Sequence, residues 1–258
     1  MVPVMFLMVV GTYARWKGDS LGAIARKLAP VALTALVLGC AAPWLTGQWL
    51  PLVALGLSLA FWIILSSLWD IVARIRSTPK WQSIPGAFWG MHLAHIGIAV
   101  TAIGITMVQG YETERDVRMA VGDTVAVGGY TFKFTGIEKN QGPNYVADRG
   151  EVELYENGKL LQVMHPEKRA YQSSSMPMTE AAIDTGWTRD VYVSLGEQLD
   201  PGPNPAWAVR VYHKPYVSWI WAGSLLMALG GLMAAADKRY RRKKSVANAA
   251  LAAQGAAA

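Results

Sequence analysis

Five apolar runs and one long alternating stretch organise this chain. The runs are Met1–Ala14, Ala29–Leu45, Leu50–Val72, Phe88–Val108 and Val217–Ala236. Phe88–Val108 holds 21 residues without a formal charge, enough to cross a bilayer core at about 1.5 Å rise per residue. Met1–Ala14 is shorter, roughly 21 Å as a helix, and reads as a span thinned at its outer end. Pro30 and Pro43 fall near the ends of the second run, where proline is tolerated. Thr46–Gly47–Gln48–Trp49 reads as a tight turn. Between Gln109 and Tyr216 the period changes from helical to two. Asp123–Phe134 alternates around Gly128–Gly129, and Glu151–Tyr155 and Leu160–Met164 flank Asn157–Gly158. Both dipeptides are hairpin signals. Asp190–Leu195 and Ala206–Tyr212 alternate again. The pattern predicts an α-helical membrane protein of about five spans, with an antiparallel β-barrel or sandwich of five to seven strands inserted before the last span. The expected organisation is 1–108 transmembrane, 109–216 β-rich, 217–236 the last span, and 237–258 a basic tail, disordered at its alanine-rich end.

Charge orients this arrangement. The 258-residue chain carries a formal net charge of +6, but the insert has 11 Lys/Arg against 15 Asp/Glu and the rest 13 against 3. The basic surplus therefore lies on the membrane flanks, at 15–28, 73–87 and 237–244, and not on a nucleic-acid-binding surface. With five alternating spans all three basic segments fall on one side. The positive-inside rule then places the insert outside, on the periplasmic face of a bacterial inner membrane. The single cysteine, Cys40, excludes an intrachain disulfide, a CxxC pair and a CxxCH haem-attachment site.

Two of the four histidines, His92 and His95, sit inside Phe88–Val108. Three residues apart on a helix, they occupy neighbouring positions on one face. An imidazole in lipid must be satisfied, so it marks either a functional site or a bridge to a neighbouring helix. Axial haem ligands come from opposite faces of a porphyrin, so this pair cannot hold one iron from one helix. One could ligate while the other packs beside it, and a zinc site would need further ligands. No carboxylate or thiolate is expected at a matching depth. Gly97 and Gly104 would let a planar group or a second helix approach. Asp70, four residues before Arg74, reads as one half of a helix-end ion pair. His165 and His213 read as surface or hairpin-end residues. Ser173–Ser175 has no base placed to form a triad, and no phosphate-cradling glycine loop occurs.

Several ordered segments then match a known family. Trp89–Gly90–Met91 and Ala94–His95–Ile96–Gly97 are followed by Glu114–Arg118, Gly122–Asp123 and Gly142–Pro143–Asn144. Pro166–Arg169, Met176–Ala181, Thr188–Val193, Leu195–Glu197, Trp207–Arg210, Trp219–Trp221, Gly230–Gly231 and Asp237–Arg241 continue the series. From about Trp89 to Arg242 the chain resembles the C-terminal part of the CcmF family, the large haem-handling membrane subunit of cytochrome c maturation. The resemblance implies a haem lyase component that takes part in thioether bond formation between haem and apocytochrome c. It also implies a b-type haem held between transmembrane histidines, with His95 as one axial ligand and His92 beside it in a supporting or packing role. The tryptophan-rich WWD segment of that family, its two flanking histidines and the second axial histidine are not found here; the 11 tryptophans are scattered. The expectation is a separately encoded C-terminal half or a truncated product that does not attach haem on its own. Its expected partners are a WWD-containing N-terminal half, other maturation subunits, the haem chaperone, apocytochrome c and the lipid bilayer. A non-catalytic scaffold whose β-domain docks assembly partners is the competing reading. A transporter half is weaker, for want of an inverted repeat or a broken helix.

Overall fold

The computed structural model describes residues 1–14, 20–200, 202 and 205–237. Arg15, Lys17 and the basic stretch 238–244 lie outside the described residues. Two compact units emerge, one from Met1–Thr106 with Trp219 onward and one from Met107–Ser218.

The first unit is helical: α1 (Val2–Tyr13), α2 (Leu21–Ala41), α3 (Pro51–Ser77), α4 (Gly86–Tyr111) and α5 (Val217–Ala235). The last four are long and apolar enough to cross a membrane, whereas α1 has 12 residues. With these helices the chain is a multi-pass membrane protein. Two helices run further than their apolar stretches. Ser20 caps α2, accepting from the Ala23 N–H at 3.3 Å, so the helix begins before Arg26 and Lys27 and places Pro30 in its interior. Membrane helices accommodate such a proline because neighbours and side chains satisfy the freed backbone groups. α3 continues past Val72 to Ser77, with Arg74 and Arg76 in its last turn, where cations complement the helix dipole. Val9, Leu28, Val31, Ala35, Ala60, Trp62, Ile63 and Ala99 form a shared core of α1–α4.

The second unit is a β-sandwich of ten strands: β1 (Thr113–Met119), β2 (Thr124–Val127), β3 (Tyr130–Gln141), β4 (Tyr145–Glu156), β5 (Lys159–Met164), β6 (Glu167–Tyr171), β7 (Met178–Glu180), β8 (Ala182–Thr185), β9 (Arg189–Gln198) and β10 (Trp207–Pro215). One antiparallel sheet is ordered β1-β10-β9-β8 and the other β2-β3-β4-β6-β7, with β5 also on β4. Both expected hairpins form. Gly128 and Gly129 (φ 59° and 86°) and Asn157 and Gly158 (φ 51° and 77°) all adopt the left-handed conformation, which two-residue primed turns require. The alternating residues Tyr130, Phe132, Phe134, Val152, Leu154, Val191, Val193, Leu195, Val209 and Val211 meet in one buried core.

The strand count exceeds the expected five to seven: β7 and β8 have only three and four residues, and β1 and β6 are held by charges. In β1, Asp116 sits opposite Arg210 of β10 and pairs with its guanidinium. In β6 the buried Glu167 accepts from Arg169 Nε at 2.7 Å and Asn140 Nδ2 at 3.0 Å. Burial opposes its charged form, yet these two donors hold its carboxyl below the usual value. The contribution is therefore present near neutral pH and is lost as pH falls through the lowered pKa.

Candidate functional site

α4 presents two faces. Gly90, Ala94, Gly97 and Thr101 recur at three- and four-residue spacing and meet Gly223, Met227, Gly230 and Ala234 of α5. A Cβ added at Gly97 would stand 2.7 Å from the Gly223 carbonyl oxygen, and one at Gly230 would stand 2.5 Å from the Gly90 oxygen. Only glycine allows two backbones this close. The room expected at Gly97 is thus filled by a second helix, α5. Asp237, just beyond α5, accepts from the Ala87 N–H at 2.7 Å. This puts a carboxylate on the first turn of α4, where the helix dipole favours it.

His92 and His95 lie roughly 200° and 140° around the helix from Gly90, on the side away from α5. Their surroundings differ. His92 is 1 % exposed, and its Nε2 is 3.0 Å from Oδ2 of Asp70 on α3. Its ring stands edge-on to Phe88 at 4.5 Å and to His95 at 6.4 Å. Nδ1 of His92 is buried without a hydrogen-bond partner. His95 is partly exposed, and its ring touches His92 edge-on. Both line a narrow crevice with Val9, Thr12, Tyr13, Ser66 and Ser67, packed too tightly to hold a water molecule. The Tyr13 hydroxyl donates to the Ser66 carbonyl at 2.8 Å, and Ser66 Oγ donates to the Trp62 carbonyl at 2.7 Å. The first of these ties α1 to α3 beside the histidines, and the second lies within α3.

Asp70 corrects two expectations. It bonds His92 and not Arg74, whose guanidinium lies 5.9 Å from the Phe88 ring centroid. It also supplies a carboxylate at the depth of the histidines, where none was expected. The cause is the extra length of α3. Asp70 is seven residues from the end of that helix at Ser77, and His92 is six from the start of α4 at Gly86. Across a helical hairpin with a short connection, those two positions reach the same level. Among the described residues, no group of three or more His, Cys, Asp or Glu comes together to hold a metal ion.

The other two histidines lie in the β-sandwich. His165 is exposed between β5 and β6. His213, on β10, is half-buried and stacks on Tyr130 at 5.8 Å. A side chain at Gly128 would run into its ring. Burial first, and then the Arg189 guanidinium, pushes its pKa below the ordinary imidazole value. Arg189 in turn donates to Tyr130 Oη at 2.9 Å and pairs with Asp184. His213 is thus a packed element of the sandwich.

The fit of haem to this site turns on which imidazole nitrogen is open. His92 spends Nε2, the nitrogen far from the backbone, on Asp70. What remains is Nδ1, next to its own Cβ and fully buried. A porphyrin needs an approach wider than that. Among the described residues neither ring nitrogen of His95 makes a hydrogen bond, and the residue is partly exposed, so of the two it is the one that would be able to hold a haem iron.

Comparison with known proteins places these features. The family described as the CcmF C-terminal beta-sandwich matches residues 110–215. The cytochrome c-type biogenesis protein CcmF of Pseudomonas aeruginosa is 44 % identical over 246 residues, 94 % of this chain and 37 % of that protein. The CcmF of Escherichia coli is 42 % identical over 246 residues, 95 % of this chain and 37 % of that protein. A solved structure of the cytochrome c haem lyase CcmF superposes with a TM-score of 0.70 at 22 % identity, over 90 % of this chain and 38 % of that one. The chain spans a little over a third of the length of these relatives.

Proposed function

The chain belongs to the CcmF family, as a counterpart of its C-terminal portion, and from that premise we propose that it is a component of a haem lyase complex in cytochrome c biogenesis. In this reading α4 supplies one axial ligand, His95, to a b-type haem within the membrane. The β-sandwich stands on the periplasmic side of a bacterial inner membrane while haem is attached to apocytochrome c. The observation that carries the reading is the contrast within one helix, where His92 is locked by Asp70 and the adjacent His95 keeps its ring nitrogens free. The second ligand then comes from the region that these relatives carry beyond the part matched here. Bound between the two, haem supplies one-electron chemistry at its iron; this chain holds one imidazole at a fixed depth and encloses it with α1 and α3. The bridging alternative is favoured for His92 alone, since its Nε2 is satisfied within the helix bundle.

Two experiments test the proposal. Affinity-tagged chain isolated from its native membranes should bring down a protein carrying a WWD segment together with other cytochrome c maturation subunits. Isolation of the chain without any of these would count against the complex. For orientation, alkaline phosphatase fused after Gly158 should be active, and the same enzyme fused after Lys244 inactive. This follows from the positive-inside rule, which assigns the basic residues Arg26, Lys27, Arg74, Arg76 and Lys80 to the cytoplasmic side and leaves a net acidic insert to the other. The reverse pattern would overturn the periplasmic placement.

A further inference from the structure

Among the described residues, the Asp70–His92 pair is a side-chain polar link between α3 and α4. The His92 side chain is 2 % exposed and the Asp70 side chain 30 %; an imidazole buried in an apolar bundle has to be explained by what it fixes. The carboxylate accepts the Nε2 proton, which sets the tautomer and stops the ring from turning about its long axis. Phe88 closes the other side of the ring at 4.5 Å and 71°. Held in this way, His92 presents an edge to His95 at 6.4 Å and 87°. Among the described residues no hydrogen bond orients His95 itself, so the wall formed by His92 is what limits its rotation on this side. Nδ1 of His92 is buried and unpartnered, and the two histidines line one narrow crevice. This fits a ring retained for its orientation and not for a second bond.

We propose that Asp70 is a positioning residue: by locking the His92 ring, it fixes the plane of the His95 imidazole toward the haem iron. The inference rests on the reading of His95 as an axial ligand, and it adds a carboxylate on another helix to that site. Metal-bound histidines commonly have a hydrogen-bonded carboxylate behind them, which orients the ligand directly. Here the same device acts one ring further out.

The test uses the full chain in its assembled, haem-loaded complex, with Asp70→Asn, His92→Phe and the double variant. Asp70→Asn is close to isosteric and removes the charge. It should leave haem bound but shift the g-value anisotropy of the low-spin ferric signal and the midpoint potential, with haem lost roughly tenfold faster. His92→Phe should produce a similar shift in g-values, and the double variant should be no worse than His92→Phe alone, because the two residues act in series. Partial return toward the native signal in Asp70→Glu would support the same linkage. Wild-type g-values in Asp70→Asn, or additive effects in the double variant, would overturn the inference. Should Asp70→Asn fail to accumulate, His92→Phe decides: shifted g-values at full haem occupancy support the proposal and native values overturn it. Failure of the underlying reading looks different, since His95→Ala would then keep the haem.

Discussion

Replacing His95 with alanine is expected to stop cytochrome c maturation, with covalently haem-bound cytochrome c falling on the order of 100-fold or more, whereas His92→Ala leaves most of it. The two imidazole rings lie on one face of α4. Removing His95 takes away the imidazole whose nitrogens are uncommitted, and no other side chain of the described bundle can replace it, because His92 is tied through Nε2 to Asp70. Losing an axial ligand costs more than the roughly 10–100-fold typical of an outer-shell partner. Removing His92 opens a cavity and frees Asp70, and the expected cost is a less ordered haem site of reduced stability. The measurement is haem-stained cytochrome c in cells that depend on each variant, at matched levels of the chain. Equal loss in the two variants would favour a structural histidine pair, and loss in His92→Ala alone would show that the other imidazole is the ligand.

The second large effect concerns the glycine seam. Gly97→Leu and Gly230→Leu should each reduce the folded, membrane-inserted protein by more than about tenfold. The added atoms would meet backbone: the Gly223 carbonyl oxygen and Met227 nitrogen at 2.7 Å in one case, the Ala94 nitrogen and Gly90 oxygen at 2.5 Å in the other. A flexible side chain could move aside, but two helix backbones must separate. Overpacking a well-filled core costs about 1–3 kcal/mol even when neighbouring side chains can adjust, and separating the helices also forfeits the close packing that holds them in lipid. Gly231→Leu is the control, because a Cβ there meets nothing within 4 Å. Resistance to mild proteolysis in detergent, scored for all three variants, checks the contrast. Seam variants as resistant as Gly231→Leu would show that α4 and α5 are not held together by this contact.

What could be read in advance followed the strength of each local signal. Gly128–Gly129 and Asn157–Gly158 announce their hairpins because primed turns need two left-handed residues, and few sequences supply them. The core strands β3, β4, β9 and β10 alternate in apolar residues and are legible for that reason. β1 and β6 are not, since Glu114, Asp116, Glu167 and Arg169 find their partners only across the sheet or along their own strand. The helix boundaries failed in one direction. Apolar runs stop at charges, but helices do not, so α2 began earlier and α3 ended later than hydropathy suggested. That error hid Asp70. Placed at the end of a span it reads as a surface partner for Arg74; placed seven residues inside α3 it stands level with His92. Counting back equal distances from the short connection between α3 and α4 would have revealed the pair. His95 follows from a family motif, and the bond from His92 Nε2 to Asp70 is what the geometry adds in support.

The reduced pyridine haemochrome spectrum of the purified complex containing this chain tests the central claim most directly. Native chain and His95→Ala would be compared at equal protein in otherwise identical preparations. A b-type haem spectrum with the native chain that disappears with His95→Ala is the predicted result. Equal b-type haem in both preparations would contradict it.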